Sequence, residues 1–142
     1  MLIFPELVAA IHEAQKNVTF PPGAWVDDPV DDGWYPVNGP AGTLGRSHWF
    51  PDEGIIDTEI AGYCLWSKVW LDEWGTNSKL EQQAQAWITN FPNTLTFTKY
   101  YDISAQTPTL EQIRAANLGD PSKLQYQFNV ECKNVKAYHW SR

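Results

Sequence analysis

Methionine occurs once, cysteine twice and histidine three times in the 142 residues. Two cysteines cannot build the multi-bridge framework of a small secreted scaffold. Cys64 and Cys132 both fall inside apolar strand patterns. They are expected to be buried thiols packed as small hydrophobes, with a disulfide between neighbouring strands as the alternative. His12, His48 and His139 are too scattered to supply the three or four ligands of a zinc site. Charge is also scarce: 19% of residues are charged, and 10 Lys and Arg stand against 17 Asp and Glu, a net charge of −7. A chain without a cationic surplus does not neutralise phosphates, which argues against nucleic-acid binding by direct electrostatics. The same sign disfavours an anionic membrane surface. No apolar run approaches the roughly 18 residues of a membrane span. The start, Met1-Leu-Ile-Phe-Pro5, lacks the basic and long apolar regions of a secretory leader. The expectation is a soluble protein made in the cytoplasm, with no cofactor or metal.

Apolar residues and aromatics are plentiful. Apolar residues make up 43% and aromatics 14%, with eight Trp, a composition that excludes a disordered chain. The length suits a single domain, residues 1–142, that buries its own core. Phe4, Leu7, Val8, Ile11 and Ala14 fall on one helical face, and Pro5 suits the first turn, which predicts an N-terminal helix within residues 1–18. Residues 19–54 hold six of the ten prolines and six of the nine glycines, together with Trp25, Trp34, Tyr35, Trp49 and Phe50. That mixture predicts a long ordered arm, with short strands near Trp34–Val37 and Gly45–Phe50.

A core follows over residues 55–142. The run from Thr58 to Leu71 reads as a strand buried on both faces, and Gly62 within it marks a bulge or a close approach. Ser78-Lys-Leu-Glu81 is a capping box, in which the Ser78 side chain takes the N–H of Glu81 and the Glu81 carboxylate reaches back. It opens a helix with Leu80, Ala84, Trp87, Ile88 and Phe91 inward, which Pro92 stops. Alternating threonines from Thr94 to Tyr101 predict a half-exposed strand. Thr107-Pro108 opens a short helix with Leu110, Ile113 and Leu118 inward and Gly119 as its left-handed stop. Leu124, Tyr126, Phe128, Val130 and Cys132 alternate with polar residues, as on an edge strand. The aromatic tail from Tyr138 to Arg142 is expected to pack. The fold class is α+β: a small mixed or antiparallel sheet with helices on one face and a long Gly/Pro/Trp-rich arm.

Three stretches carry candidate chemistry. Asp27, Asp28, Asp31 and Asp32 surround Pro29, but they lack calcium-loop spacing. They read as a solvated turn or as an acidic patch for a basic partner. Around His48, the carboxylates of Asp52 and Glu53 offer an acid–base pair, while Ser47 beside His48 is not a triad, because triads are made by the fold and not by adjacency. The glycines from Gly39 to Gly45 lack the lysine of a phosphate loop. The candidate site is therefore a protein interface on the arm: Trp25, Asp27, Asp28, Asp31, Asp32, Trp34, Tyr35, His48, Trp49 and Phe50, since Trp and Tyr concentrate at interface centres.

The order of helix, extended arm, strand, helix, strand, helix and closing strand resembles that of bacteriophage tail-terminator and related neck proteins, across most of the chain. The resemblance rests on layout and matches no motif, so it carries over no functional residue. It implies a homo-oligomeric, hexameric ring capping a tail tube, in contact with other virion proteins, with the arm reaching a neighbour and no enzymatic activity. Two alternatives stand beside it. One is a small acidic binding or inhibitor protein for a basic macromolecular partner. The other is a small hydrolase or carbohydrate-binding module using the His48 loop and the tryptophans.

Overall fold

The computed structural model describes residues 2, 4–27 and 51–140. The acidic residues from Asp28 to Asp32, the strands expected at Trp34–Val37 and Gly45–Phe50, the glycine stretch from Gly39 and the His48 loop lie outside the described residues. So do the last two residues of the tail. The described elements run α1 (Phe4–Gln15), β1 (Trp25–Val26), α2 (Glu53–Glu73), α3 (Lys79–Asn90), a 3₁₀ turn (Phe91–Asn93), a π-helical turn (Thr96–Tyr100), α4 (Ile103–Asn117), α5 (Ser122–Glu131) and β2 (Tyr138–His139). Helices dominate, and a two-stranded antiparallel sheet pairs Trp25 with His139 and Val26 with Tyr138. The α+β combination holds in this broad form.

The strands lie elsewhere than expected. The apolar run from Thr58 to Leu71 is the middle of α2, a helix of 21 residues and roughly 31 Å. Every residue from Ala61 to Ser67 is buried, as are Val69 and Trp70. A helix enclosed on all sides is apolar all round, so it shows no helical stripe and imitates a doubly buried strand. Helix α1 packs along one flank of α2 and α3 along another, while α5, β2 and the π-helical turn cover other parts. Gly62 marks a close approach and not a bulge. Trp87 lies where a side chain would be, 2.7 Å from an added Cβ.

The stretch from Thr94 to Tyr101 is also helical. Its threonine hydroxyls bond locally: Thr94 to the Phe91 carbonyl at 2.7 Å and Thr98 to the Thr94 carbonyl at 2.9 Å. Thr96 is fully buried, and its N–H and hydroxyl both donate to Glu59 of α2. Short hydroxyl side chains that can bond the backbone suit such turns as readily as strands. Residues Leu124 to Cys132 lie on α5 and its C-cap. Leu124, Phe128 and Cys132 face inward, whereas Tyr126 and Val130 are 73% and 64% exposed. A spacing of four satisfies both the strand period and the helix period, so the inward set was visible while its geometry was not.

The helices expected from capping and periodicity are present. In α1, Leu7, Ile11 and Ala14 are buried. In α3, Ser78 accepts from the Glu81 N–H at 3.0 Å, and Ala84, Ile88 and Phe91 are buried. The reciprocal half of the capping box does not form, because the Ser78 N–H donates to Thr76 Oγ1 at 3.2 Å. The fourth helix starts earlier than Thr107, at Ile103, where the Asp102 carboxylate accepts from the Ala105 N–H. Ile113 is inward as expected, but Leu110 and Leu118 are 46% and 74% exposed, and Thr109 and Ala116 are buried instead. Gly119 follows this helix with a φ of 83°, the left-handed stop.

Two links bind these elements. Trp70 donates through Nε1 to Gln85, which donates to Asn117, where Thr89 also donates, so α2, α3 and α4 share one polar chain. The second link corrects an expectation. Cys64 and Cys132 are not free thiols but a disulfide, with Cα atoms 5.5 Å apart. It joins two helices, because the inward faces of α2 and α5 meet there beside Phe128 and Trp140. A bridge across 68 residues stabilises by about 4 kcal/mol in the chain-entropy account. Replacing both cysteines by serine is expected to lower the unfolding free energy by about that amount, read from the urea midpoint. An unchanged midpoint would show that the bridge contributes no stability.

Candidate functional site

Two of the ten candidate interface residues, Trp25 and Asp27, fall within the described residues, and the short sheet brings them together with His139. Pro21 is buried and Ala24 N–H donates to its carbonyl, a turn that aims β1 at the C-terminal segment. Asp27 N–H then donates to the Ala137 carbonyl at 2.9 Å, which extends the ladder by one bond. Trp25 stacks on the His139 ring with centroids 4.6 Å apart and planes 11° from parallel. Asp27 Oδ2 lies 2.8 Å from His139 Nε2. One face of the imidazole is thus covered by an indole, and its Nε2 is held by a carboxylate.

A carboxylate–imidazole pair is two-thirds of a hydrolytic triad. Among the described residues, no hydroxyl or thiol hydrogen-bonds to His139, and both cysteines are committed to the disulfide. The arrangement can fasten β1, the strand that follows α1, to the C-terminal segment. Read from the sequence, His139 has no role beyond excluding a zinc site. The signal that would have found it was the Tyr138-His-Trp140 aromatic cluster, whose packing was expected.

Asp52 and Glu53, the possible partners of His48, open α2. Asp52 is held by the Tyr100 hydroxyl at 2.5 Å and the Lys99 ammonium at 3.0 Å. Those bonds hold its carboxyl below the usual carboxylate range. Its role here is to pin the π-helical turn to the start of α2.

Beneath the sheet lies a buried polar layer that sequence reasoning missed. Asp57 of α2 has a buried Oδ2 with no hydrogen-bond donor, and Trp140 has a buried Nε1 with no acceptor. Burial pushes the Asp57 carboxyl up to about 6. Tyr138, next to Trp140 in the chain, has its hydroxyl pushed well above the usual phenol range by burial first and by Asp57 second. In the sequence Asp57 is one more acidic residue before the apolar run from Thr58, and only its enclosure in the fold gives it this character.

The outer faces of α4 and α5 form the second feature. Ile103, Leu110 and Leu118 lie at spacings of seven and eight along α4, with Ile103 76% exposed, and Tyr126 and Val130 lie one turn apart on α5. Large side chains of this kind normally turn inward. Residues 103–131 hold three acidic and two basic side chains, so this face is nearly neutral on a chain of net charge −7. Among the described residues, no helix is long and apolar enough to cross a membrane. No family model, curated protein or solved structure matches this chain.

The Asp57 carboxyl generates a pH prediction. Its folded value lies above the ordinary aspartate value of 3.8, so the folded state binds the proton more tightly than the unfolded chain. Its contribution is full below pH 4 and is lost as pH rises through about 6. Asp57→Asn is expected to flatten that decline and to raise stability at neutral pH by about 2 kcal/mol, a figure reduced for partial solvent screening. Urea unfolding at several pH values measures it. A parallel pH dependence in the variant would show that Asp57 is not the cause.

Proposed function

We propose that this chain is a structural protein of an assembly, acting through protein–protein contacts with copies of itself and not through catalysis. The observation that carries this reading is the exposed apolar face of α4 and α5. A stable domain rarely leaves several large apolar side chains outward on neighbouring helices unless another surface covers them. The near-neutral charge of that face supports a second copy as the occupant. Two chains of net charge −7 repel over most of their surfaces and least over this one.

The Cys64–Cys132 disulfide adds a second support. Such bonds persist in oxidising surroundings, which include the extracellular space and virion surfaces, and are rare in the reducing cytosol. A virion component released from the cell meets those conditions. A ring subunit of the tail-terminator or neck kind is the particular form implied by the sequence resemblance. That resemblance used three strands where the chain has helices, so the exposed face carries the proposal in its place.

Light scattering behind a sizing column tests the reading. The expected mass is a defined multiple of 16.2 kDa. Leu118→Glu combined with Tyr126→Glu is expected to reduce it to the single-chain mass with the helical circular dichroism unchanged. A wild-type chain that stays at the single-chain mass at every concentration overturns self-assembly.

A further inference from the structure

A cavity of about 190 Å³ opens between α2, the residue after the π-helical turn, α4 and α5, with Tyr63, Tyr101, Ser104, Thr109, Gln127 and Glu131 in its wall. Its polar groups share one property. Tyr63 donates its hydroxyl proton to Gln112 Oε1 at 3.3 Å, and Ser104 donates its own to Asp102 Oδ1 at 2.5 Å. Thr109 donates to the Ala105 carbonyl at 2.9 Å, and Gln127 Nε2 donates to Glu131 Oε2 at 2.7 Å. Each of these four donors has directed a proton to a protein acceptor; the Gln112 amide and the second N–H of Gln127 keep donors, and the oxygens of the wall together with the Glu131 carboxylate leave an excess of acceptors. Gln127 Oε1 is buried and accepts from nothing. Glu131 is the one charged side chain in the wall.

An anion meets the Glu131 carboxylate here. A divalent metal ion asks for several hard oxygen ligands held close together, commonly including more than one carboxylate. The cavity also exceeds the size of a bare ion, yet it is smaller than the roughly 300–1,000 Å³ of sites for drug-sized ligands. A short organic cation matches both the size and the surplus of acceptors. An ammonium brings three donors and no acceptor, and the rings of Tyr63 and Tyr101 add the electron-rich surface that organic cations favour.

We propose that this cavity binds a primary ammonium group, with Glu131 supplying the charge and the oxygens of Tyr63, Thr109 and Gln127 accepting its N–H bonds. The group belongs either to a free small amine or to the end of a lysine side chain. Burial raises the Tyr63 hydroxyl well above the usual phenol range, and burial followed by Glu131 raises Tyr101. Both phenols therefore stay neutral, and Glu131 remains the source of charge. The proposal is independent of the assembly reading, because the cavity lies within one chain.

The test uses the intact, disulfide-bonded protein. It is titrated with n-butylamine hydrochloride, with n-butanol as the neutral counterpart, and with the peptide acetyl-Gly-Lys-Gly-amide. The readout is the side-chain amide resonances of Gln112 and Gln127 in nitrogen-15 NMR spectra. Saturable shifts with an amine and none with butanol are expected. Glu131 is exposed at the mouth, so Glu131→Gln leaves the fold intact and is expected to weaken amine binding by about tenfold, the loss of one charge-assisted hydrogen bond. Tighter binding of the peptide assigns the ammonium to a partner's lysine, and tighter binding of butylamine assigns it to a free amine; either result upholds the site. Equal shifts with butanol, no saturation with either amine, or unchanged affinity in Glu131→Gln overturns it.

Discussion

A helix whose middle turns are almost wholly buried has to be enclosed, and most of the described elements of this chain pack around α2. Its middle turns bury Tyr63, Leu65, Trp66, Val69 and Trp70 together with the small residues Ala61, Gly62 and Ser67. Burial of that many large side chains is the dominant favourable contribution to folding, at about 25 cal/mol per Å² of apolar surface. It also creates a polar requirement, since each buried indole carries an N–H in need of an acceptor. Trp66 finds the Thr19 carbonyl at 2.8 Å, which draws the chain after α1 onto α2. Trp70 finds Gln85, which draws in α3 and through it the end of α4. The tryptophans therefore set the geometry of their neighbours as well as the volume of the core.

The aromatic group around Phe91 extends the same logic. Tyr63 tilts against Phe91 at 4.4 Å, and Phe97 and Tyr101 meet it edge-on at 6.3 and 5.9 Å. The π-helical turn that carries Phe97 is held by Glu59 from one side and by Asp52 from the other. Tyr63 and Tyr101 leave this group to line the cavity between α2, α4 and α5, so packing in the core places its walls. Midway along α2 the disulfide fixes α5, and the Trp25–His139–Asp27 arrangement fastens β1 to β2.

The functional surfaces follow from what the enclosure leaves over. Helix α5 packs on α2, and α4 packs on α3 and α5, which leaves Ile103, Leu110, Leu118, Tyr126 and Val130 outward. The apolar content of these two helices exceeds what one chain's core uses. That surplus is the physical basis for a partner surface, in a chain whose remaining described surface is sparsely charged and acidic.

The sequence by itself determined the elements whose signals are local. Pro5, the Ser78 cap, Pro92 and Gly119 mark helix ends through backbone chemistry that acts within a few residues, and the stripes of α1 and α3 face one layer of core. It also set an acidic balance of charge, 17 Asp and Glu against 10 Lys and Arg. Only the tertiary structure decided the rest. A helix buried all round has no stripe, so α2 was indistinguishable from a strand until its neighbours were in place. A spacing of four fits both periods, so Leu124, Phe128 and Cys132 named an inward face without naming its geometry. Cys64 pairs with Cys132, Asp27 with His139, and Tyr63 with Glu131 across a shared cavity, each between residues far apart in the chain. Such pairs arise from how packed surfaces meet, and local sequence carries no record of that meeting.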